Sequence, residues 1–334
     1  MIYTGLRVLD LDASDHDLTV DASGSRNVVE VTPRDSNSGT LVIQGPDPIL
    51  NYHDAAALLV DGGADTDVLI VNGSAIDDVI NVDGTMVEVV GSLPVAYTRF
   101  ESVTARGNEG NDQISVVPDA NIPFFVNGGL PIGATTSNPA FQGDRLKVDL
   151  DGENDLIFHA GPEGDAGTYV VGARAPVSFD EIESIDLLNV GPAGNATVNG
   201  TNGDDQVTII GTGNGNSTVS VNNGPAVVYP NIPTFSLESI GGDDFIAIQS
   251  IVNWNVNITV VGGSFTSHTS LRLTTPGTET ATFTPTDSLA GTVSLSQRRR
   301  SSTSPEFSKS NTTARATMTL SSCNPYSQST TRSS

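Results

Sequence analysis

The chain has 334 residues, 34 of them glycine, and a formal charge of −24 from 39 Asp and Glu against 15 Lys and Arg. Gly, Asp, Asn, Thr and Val in this abundance describe short strands between tight turns and exclude a helical protein. Residues 1–297 carry 38 acids against 9 Lys and Arg, a net −29 that excludes a phosphate backbone as the partner of this part of the chain.

A single cysteine, Cys323, rules out an intrachain disulfide and a cysteine-built zinc site, so packing, hydrogen bonds and ions must hold the fold. The histidines, His16, His53, His159 and His268, lie too far apart in sequence to suggest a metal-binding pair. No run approaches the ~20 apolar residues of a membrane-spanning helix, so no membrane insertion is expected. The N-terminus, MIYTGLRVLDLDASDHDLTV, alternates like a strand and lacks the charged start and apolar run of a secretion signal. The chain therefore reads as part of a longer polypeptide or as one whose start was missed.

In chain order, glycine-punctuated phrases come next: GGADTDVLI at 62–70, GSAIDDVIN at 73–81 and GNEGNDQIS at 107–115. Val71-Asn72-Gly73 opens a phrase that returns at Val126-Asn127-Gly128, Val198-Asn199-Gly200 and Val261-Gly262-Gly263, an irregular repeat of about 60 residues that two coils of a solenoid would fill. A second phrase, Glu-Ser before Val or Ile, stands at Glu101, Glu183 and Glu238. Phe100, Phe179 and Phe235 lie close upstream and are expected inside with the Val or Ile, while Glu and Ser lie at the surface or in a turn. The loop 129–143 is long, an exposed candidate for partner contact. Arg145 and Lys147 share a strand face with Asp149 and Asp151, a mutually neutralising solvent surface.

LDGENDLIF at 150–158, GTNGDDQVT at 200–208 and IGGDDFIAI at 240–248 repeat the aspartate corner. Period-two alternation in DQVTII (205–210), STVSVN (217–222) and NVNITVV (255–261) gives half-buried strands. These spacings predict an all-β, repeat-built parallel β-helix or β-solenoid over residues 1–297, clearest in 59–263. The alternative is a tandem of β-sandwiches, for which Asn127-Gly128 and Asn223-Gly224 would serve as hairpin turns. Residues 298–334 hold 18 Ser or Thr, a net charge of +5 and no alternation, and are expected to be a disordered tail, with so abrupt a change of composition raising the alternative that it is not native sequence.

The corners resemble the RTX, or hemolysin-type, calcium-binding nonapeptide, G-G-x-G-x-D-x-U-x with U a large aliphatic residue. Residues 107–115 match through Gly107, Gly110, Asp112 and Ile114, and residues 200–208 through Gly200, Gly203, Asp205 and Val207. The resemblance implies a large bacterial extracellular or cell-surface protein and calcium held between turns by Asp65, Asp67, Asp77, Asp78, Asn111, Asp112, Asp204, Asp205, Asp243 and Asp244. In that family the turns are tandem, whereas here they are solitary. Calcium wants six to eight oxygens, so Asp77 and Asp78 would have to stack on Asn111 and Asp112, and Asp204 and Asp205 on Asp243 and Asp244. Turn chemistry explains the same residues without a metal, because glycine tolerates positive φ and Asx side chains cap their own backbone.

Function classes follow. No Ser-His-Asp, Cys-His or phosphate-loop signature is present, and Trp254 is the lone tryptophan where a carbohydrate enzyme would want exposed aromatic platforms. The expectation is a non-catalytic structural or adhesive protein, calcium-assisted, meeting a cell-surface or matrix component. A β-helix polysaccharide lyase or hydrolase is the alternative.

Overall fold

The computed structural model describes residues 6–22, 24–45, 48–133, 143–251, 254–262, 269–277, 279–287, 290–297 and 316–322. Among these the protein is all-β, with 27 strands, no helix and mostly parallel pairing between rungs. The chain divides into two compact units, one of Met1–Leu156, Gly161–Gly191 and Gly224–Val227, the other of Ile157–Ala160, Pro192–Asn223 and Val228–Ser334.

In the first unit the strands form three parallel columns. The first holds Val8–Asp21, Ile49–Asp61 and Val95–Thr98. The second holds Val28–Asp35, Val68–Asn72, Ser102–Glu109, Phe124–Leu130 and Val177–Asp180. Val79–Val82, Gln113–Val116, Arg145–Asp149 and Ser184–Leu188 make the third. Because side chains alternate across a strand and parallel register keeps like positions aligned, the inward residues stack in rows. Ile80, Ile114, Leu146 and Ile185 form one row, and Val82, Val116, Val148 and Leu187 the next, all buried. Each such side chain contributes roughly 1.5–3 kcal/mol of burial.

The second unit repeats the scheme. Asn195–Asn199, Thr234–Glu238, Asn257–Gly262 and Ala316–Ser322 pair in parallel, as do Gln206–Gly213, Phe245–Gln249 and Ser270–Thr274. Antiparallel hairpins such as Val28–Asp35 with Ser38–Ile43 and Gln206–Gly213 with Asn216–Val221 are appended to the columns. An antiparallel sandwich would lack the parallel columns altogether.

Several expectations need correction. Asn127-Gly128 is no hairpin turn; it lies inside the parallel strand Phe124–Leu130. The repeat phrase is partly out of register: Val71 and Val126 do share a row, through Ala105, but the row of Val198 continues through Leu237 to Val260, not Val261. A one-residue slip moves a side chain to the opposite face, so the valine phrase marks strands but not their alignment. Rungs of the third column recur every 34, 32 and 39 residues, and the 55-residue offset between Val71 and Val126 spans two rungs. Of the tail expected to be disordered, Ala316–Ser322 forms a strand; residues 298–315 and 323–334 lie outside the described residues. Most of the loop 129–143 also lies outside them.

Candidate functional site: the acid corners

The residue entering each strand of the third column is an acid: Asp78, Asp112, Asp144 and Glu183. At this point the chain turns from one column to the next and its amides leave the sheet ladder, so each N–H needs another acceptor. The acid of the following rung supplies it. The Asp78 N–H donates to Asp112 Oδ1 at 2.7 Å, the Asp112 N–H to Asp144 Oδ1 at 2.7 Å, and the Asp144 N–H to Glu183 Oε2. The residues one step earlier bond in the opposite sense: the Asn111 N–H donates to Asp77 Oδ1 at 2.8 Å and the Gly143 N–H to Asn111 Oδ1 at 2.7 Å. Neighbouring rungs are thus laced in both directions by charge-assisted or Asx hydrogen bonds.

The same construction recurs twice. Between the first and second columns the Asn27 N–H donates to Asp67 Oδ1 and the Asp67 N–H to Glu101 Oε2, both at 2.6 Å. In the second unit the Asp205 N–H donates to Asp244 Oδ1 at 3.0 Å, while the Asp243 N–H donates back to Asp204 Oδ1 at 2.8 Å. The structure therefore brings together Asp77 and Asp78 with Asn111 and Asp112, and Asp204 and Asp205 with Asp243 and Asp244. Asp65 stands apart, exposed and at φ +84° in its turn.

The glycine five residues ahead of the aspartate is explained by space. A Cβ on Gly107 would lie 2.2 Å from Asp112 Oδ2 and 2.3 Å from the Gly128 carbonyl oxygen; on Gly200 it would lie 2.4 Å from Asp205 Oδ2. The carboxylate and the next rung's backbone fill the volume any side chain would need.

The second carboxylate oxygens differ. Asp78 Oδ2 accepts the Ser74 N–H at 2.6 Å, Asp205 Oδ2 the Thr201 N–H at 2.7 Å, and Asp244 Oδ2 the Thr269 hydroxyl at 3.1 Å. Oδ2 of Asp67, Asp112 and Asp144 is buried without a hydrogen-bond partner. Burial pushes Asp112 up to about 6, with Asp78 and Asp77 adding like charge. Asp144 is pushed up to about 7 by burial and then by Asp112, Glu183 and Glu181. Burial likewise raises Glu183. Asp77, at the surface, is lowered by the Asn111 amide and side chain.

The resemblance to the calcium nonapeptide can be held against this donor set. A calcium ion needs six to eight oxygens, and in every laced pair one carboxylate oxygen is already spent on a backbone amide. Among the described residues, three His or carboxylate ligand atoms come within 4.8 Å of one another only at the exposed Asp12, His53 and Asp54, none of them a corner residue. The corners do not fit a calcium held by carboxylates of two turns.

Sequence reasoning did not mark Glu101, Asp144 and Glu183 as corner acids. Glu101 and Glu238 are exposed as expected, whereas Glu183, in a bend, is fully buried; Val103 and Ile185 face inward as expected, while Ile240 is half exposed and Ser239 is buried. The signal was available: Glu101-Ser102-Val103, Gly143-Asp144-Arg145-Leu146 and Glu183-Ser184-Ile185 all have an acid two residues before an inward aliphatic. Phe100, Phe179 and Phe235 are buried as expected. On the basic strand, Arg145 is ion-paired with Asp186 of the next rung, and Arg174 meets Asp151 at 2.9 Å. No protein-family model, curated protein or solved structure matches the chain.

Proposed function

We propose that the chain is a non-catalytic scaffold, two stretches of parallel β-solenoid closed at their corners by carboxylates, serving as a structural or adhesive module outside the cell or on its surface. One observation carries this reading. Asp67, Asp112, Asp144 and Asp244 are each 1 % exposed or less and spend an oxygen on the backbone of a neighbouring rung. Asp205, 3 % exposed, gives its N–H to Asp244, while its own carboxylate holds Thr201 and Asn222. Acids meant for catalysis must reach substrate, whereas these are consumed in holding rungs together. The acids left at the surface keep the body strongly negative, which suits solubility and steers it away from anionic partners.

The test is a thermal melt in millimolar calcium, with magnesium as control, on the wild type and on Asp112→Asn. The scaffold reading expects the same melting temperature with either ion in both proteins. A calcium-specific rise in the wild type that Asp112→Asn loses would make the corner acids ligands and overturn the lacing account. Release of unsaturated or reducing ends from any polysaccharide panel member would replace the scaffold by the enzyme.

A further inference from the structure

Val8–Asp21 is a 14-residue strand that pairs with Ile49–Asp61 through eleven register positions. Among the described residues no strand pairs with the other edge of Val8–Val20. The second column ends differently: Val28–Asp35 carries the hairpin strand Ser38–Ile43 on its outer edge, and Val29 and Val31 are fully buried. On the open strand Leu11, Leu18 and Val20 are only half-buried, although their register partners Tyr52, Leu58 and Val60 are buried to 2 % exposure or less. Leu9 is half-buried too. Among the described residues the apolar row lacks its next member, on a long edge of the kind proteins usually cover or break up.

We propose that this strand pairs antiparallel with the same strand of a second copy, about a two-fold axis between Ser14 and Asp15. The pattern is self-complementary. Reversing the strand about that point opposes Leu9 to Val20, Asp10 to Thr19, Leu11 to Leu18 and Asp12 to Asp17 of the second copy. Directly opposed residues in an antiparallel pair share a face. In a regular strand this reversal would set inward positions against outward ones, because 9 is odd and 20 even. The irregularity between Asp12 and His16 removes the mismatch by switching the parity of the inward row from Leu9 and Leu11 to Leu18 and Val20. Both leucine and valine pairs then fall on the core side. Four opposed pairs on each side of the axis give about eight backbone hydrogen bonds, within the roughly 10 ± 5 of a standard interface. An isologous contact of this kind closes at two copies.

Two terms oppose it: the net charge of −24 on each copy, and Asp12, which meets Asp17 of the second copy twice; salt screens both, so the dimer tightens with it. Asp12 also accepts the Ser14 N–H and hydroxyl inside the irregularity, which leaves the exposed Asp17 as the cleaner position to change.

Sedimentation velocity on the full chain, over a range of protein and sodium chloride concentrations, tests the pairing. The expected result is a monomer–dimer equilibrium strengthened by salt. Asp17→Lys turns two like-charge oppositions into two favourable ones and is expected to lower the dissociation constant about tenfold. Asp10→Lys makes the same change in net charge but faces Thr19, and is expected to stay within about twofold of wild type. A monomer under every condition would overturn the proposal. So would equal effects of the two variants, which would mean general charge relief, or mass growing past the dimer, which would mean end-to-end stacking.

Discussion

Asp112→Asn isolates what a corner carboxylate does. Asparagine keeps an Oδ1 to accept the Asp78 N–H and replaces the orphaned Oδ2 by an N–H donor. What it removes is a buried charge. The Asp112 carboxyl is raised from 3.8 to about 6, and at about 1.4 kcal/mol per unit the folded state pays up to ~3 kcal/mol to keep it ionised. The neutral amide removes the desolvation cost and the repulsion from Asp77 and Asp78, but its oxygen accepts the Asp78 N–H more weakly than a carboxylate does, which leaves a gain of about 1–2 kcal/mol. The sign follows from linkage: a carboxyl whose folded pKa lies above its unfolded value costs nothing below pH ~4, and its penalty grows until pH exceeds the folded value. Asp112→Asn should therefore gain about 1–2 kcal/mol over wild type at pH 8 and almost nothing at pH 4, measured by urea unfolding followed by circular dichroism. Destabilisation at pH 8, or an equal gain at both pH values, would refute the reasoning.

Other consequences concern packing. Gly107→Ala forces a Cβ against backbone that cannot yield and should cost more than ~2 kcal/mol, whereas Gly24→Ala, with nothing within 4 Å of its Cβ, should stay within ~0.5 kcal/mol in the same urea titration. Trp254, 3 % exposed, donates its indole N–H to the Asn216 carbonyl at 2.8 Å and covers Gly211. Trp254→Phe should lose about 1–3 kcal/mol and lower the melting temperature, read by circular dichroism because the fluorescence goes with the residue.

Much of the architecture was legible because period-two alternation and the acid–x–aliphatic corner are local. Phe100, Phe179 and Phe235 are expected inside from the Glu-Ser phrase beside them, and Asp78 falls near Asp112 once the unit of about 60 residues is read as two coils. Register was not legible. Val198-Asn199-Gly200 and Val261-Gly262-Gly263 look alike, yet only pairing across rungs decides that Val260 carries the row. Nor was burial of Glu183, since a glutamate is ordinarily a surface residue and its partner, the Asp144 amide, lies 39 positions away. The glycines were assigned to positive φ; at Gly107 the requirement is the volume taken by Asp112 and Gly128. The nonapeptide likeness caught a true corner while the carboxylates there had a nearer claimant in the backbone.

Amide hydrogen exchange at the Asp78, Asp112 and Asp144 N–H groups tests the lacing most directly. These amides lie just outside the strands, and the account predicts protection equal to that of the adjoining strand amides, with Asp144→Ala exposing the Asp112 amide while leaving that of Val116 protected. Exchange at open-loop rates in the wild type would contradict it.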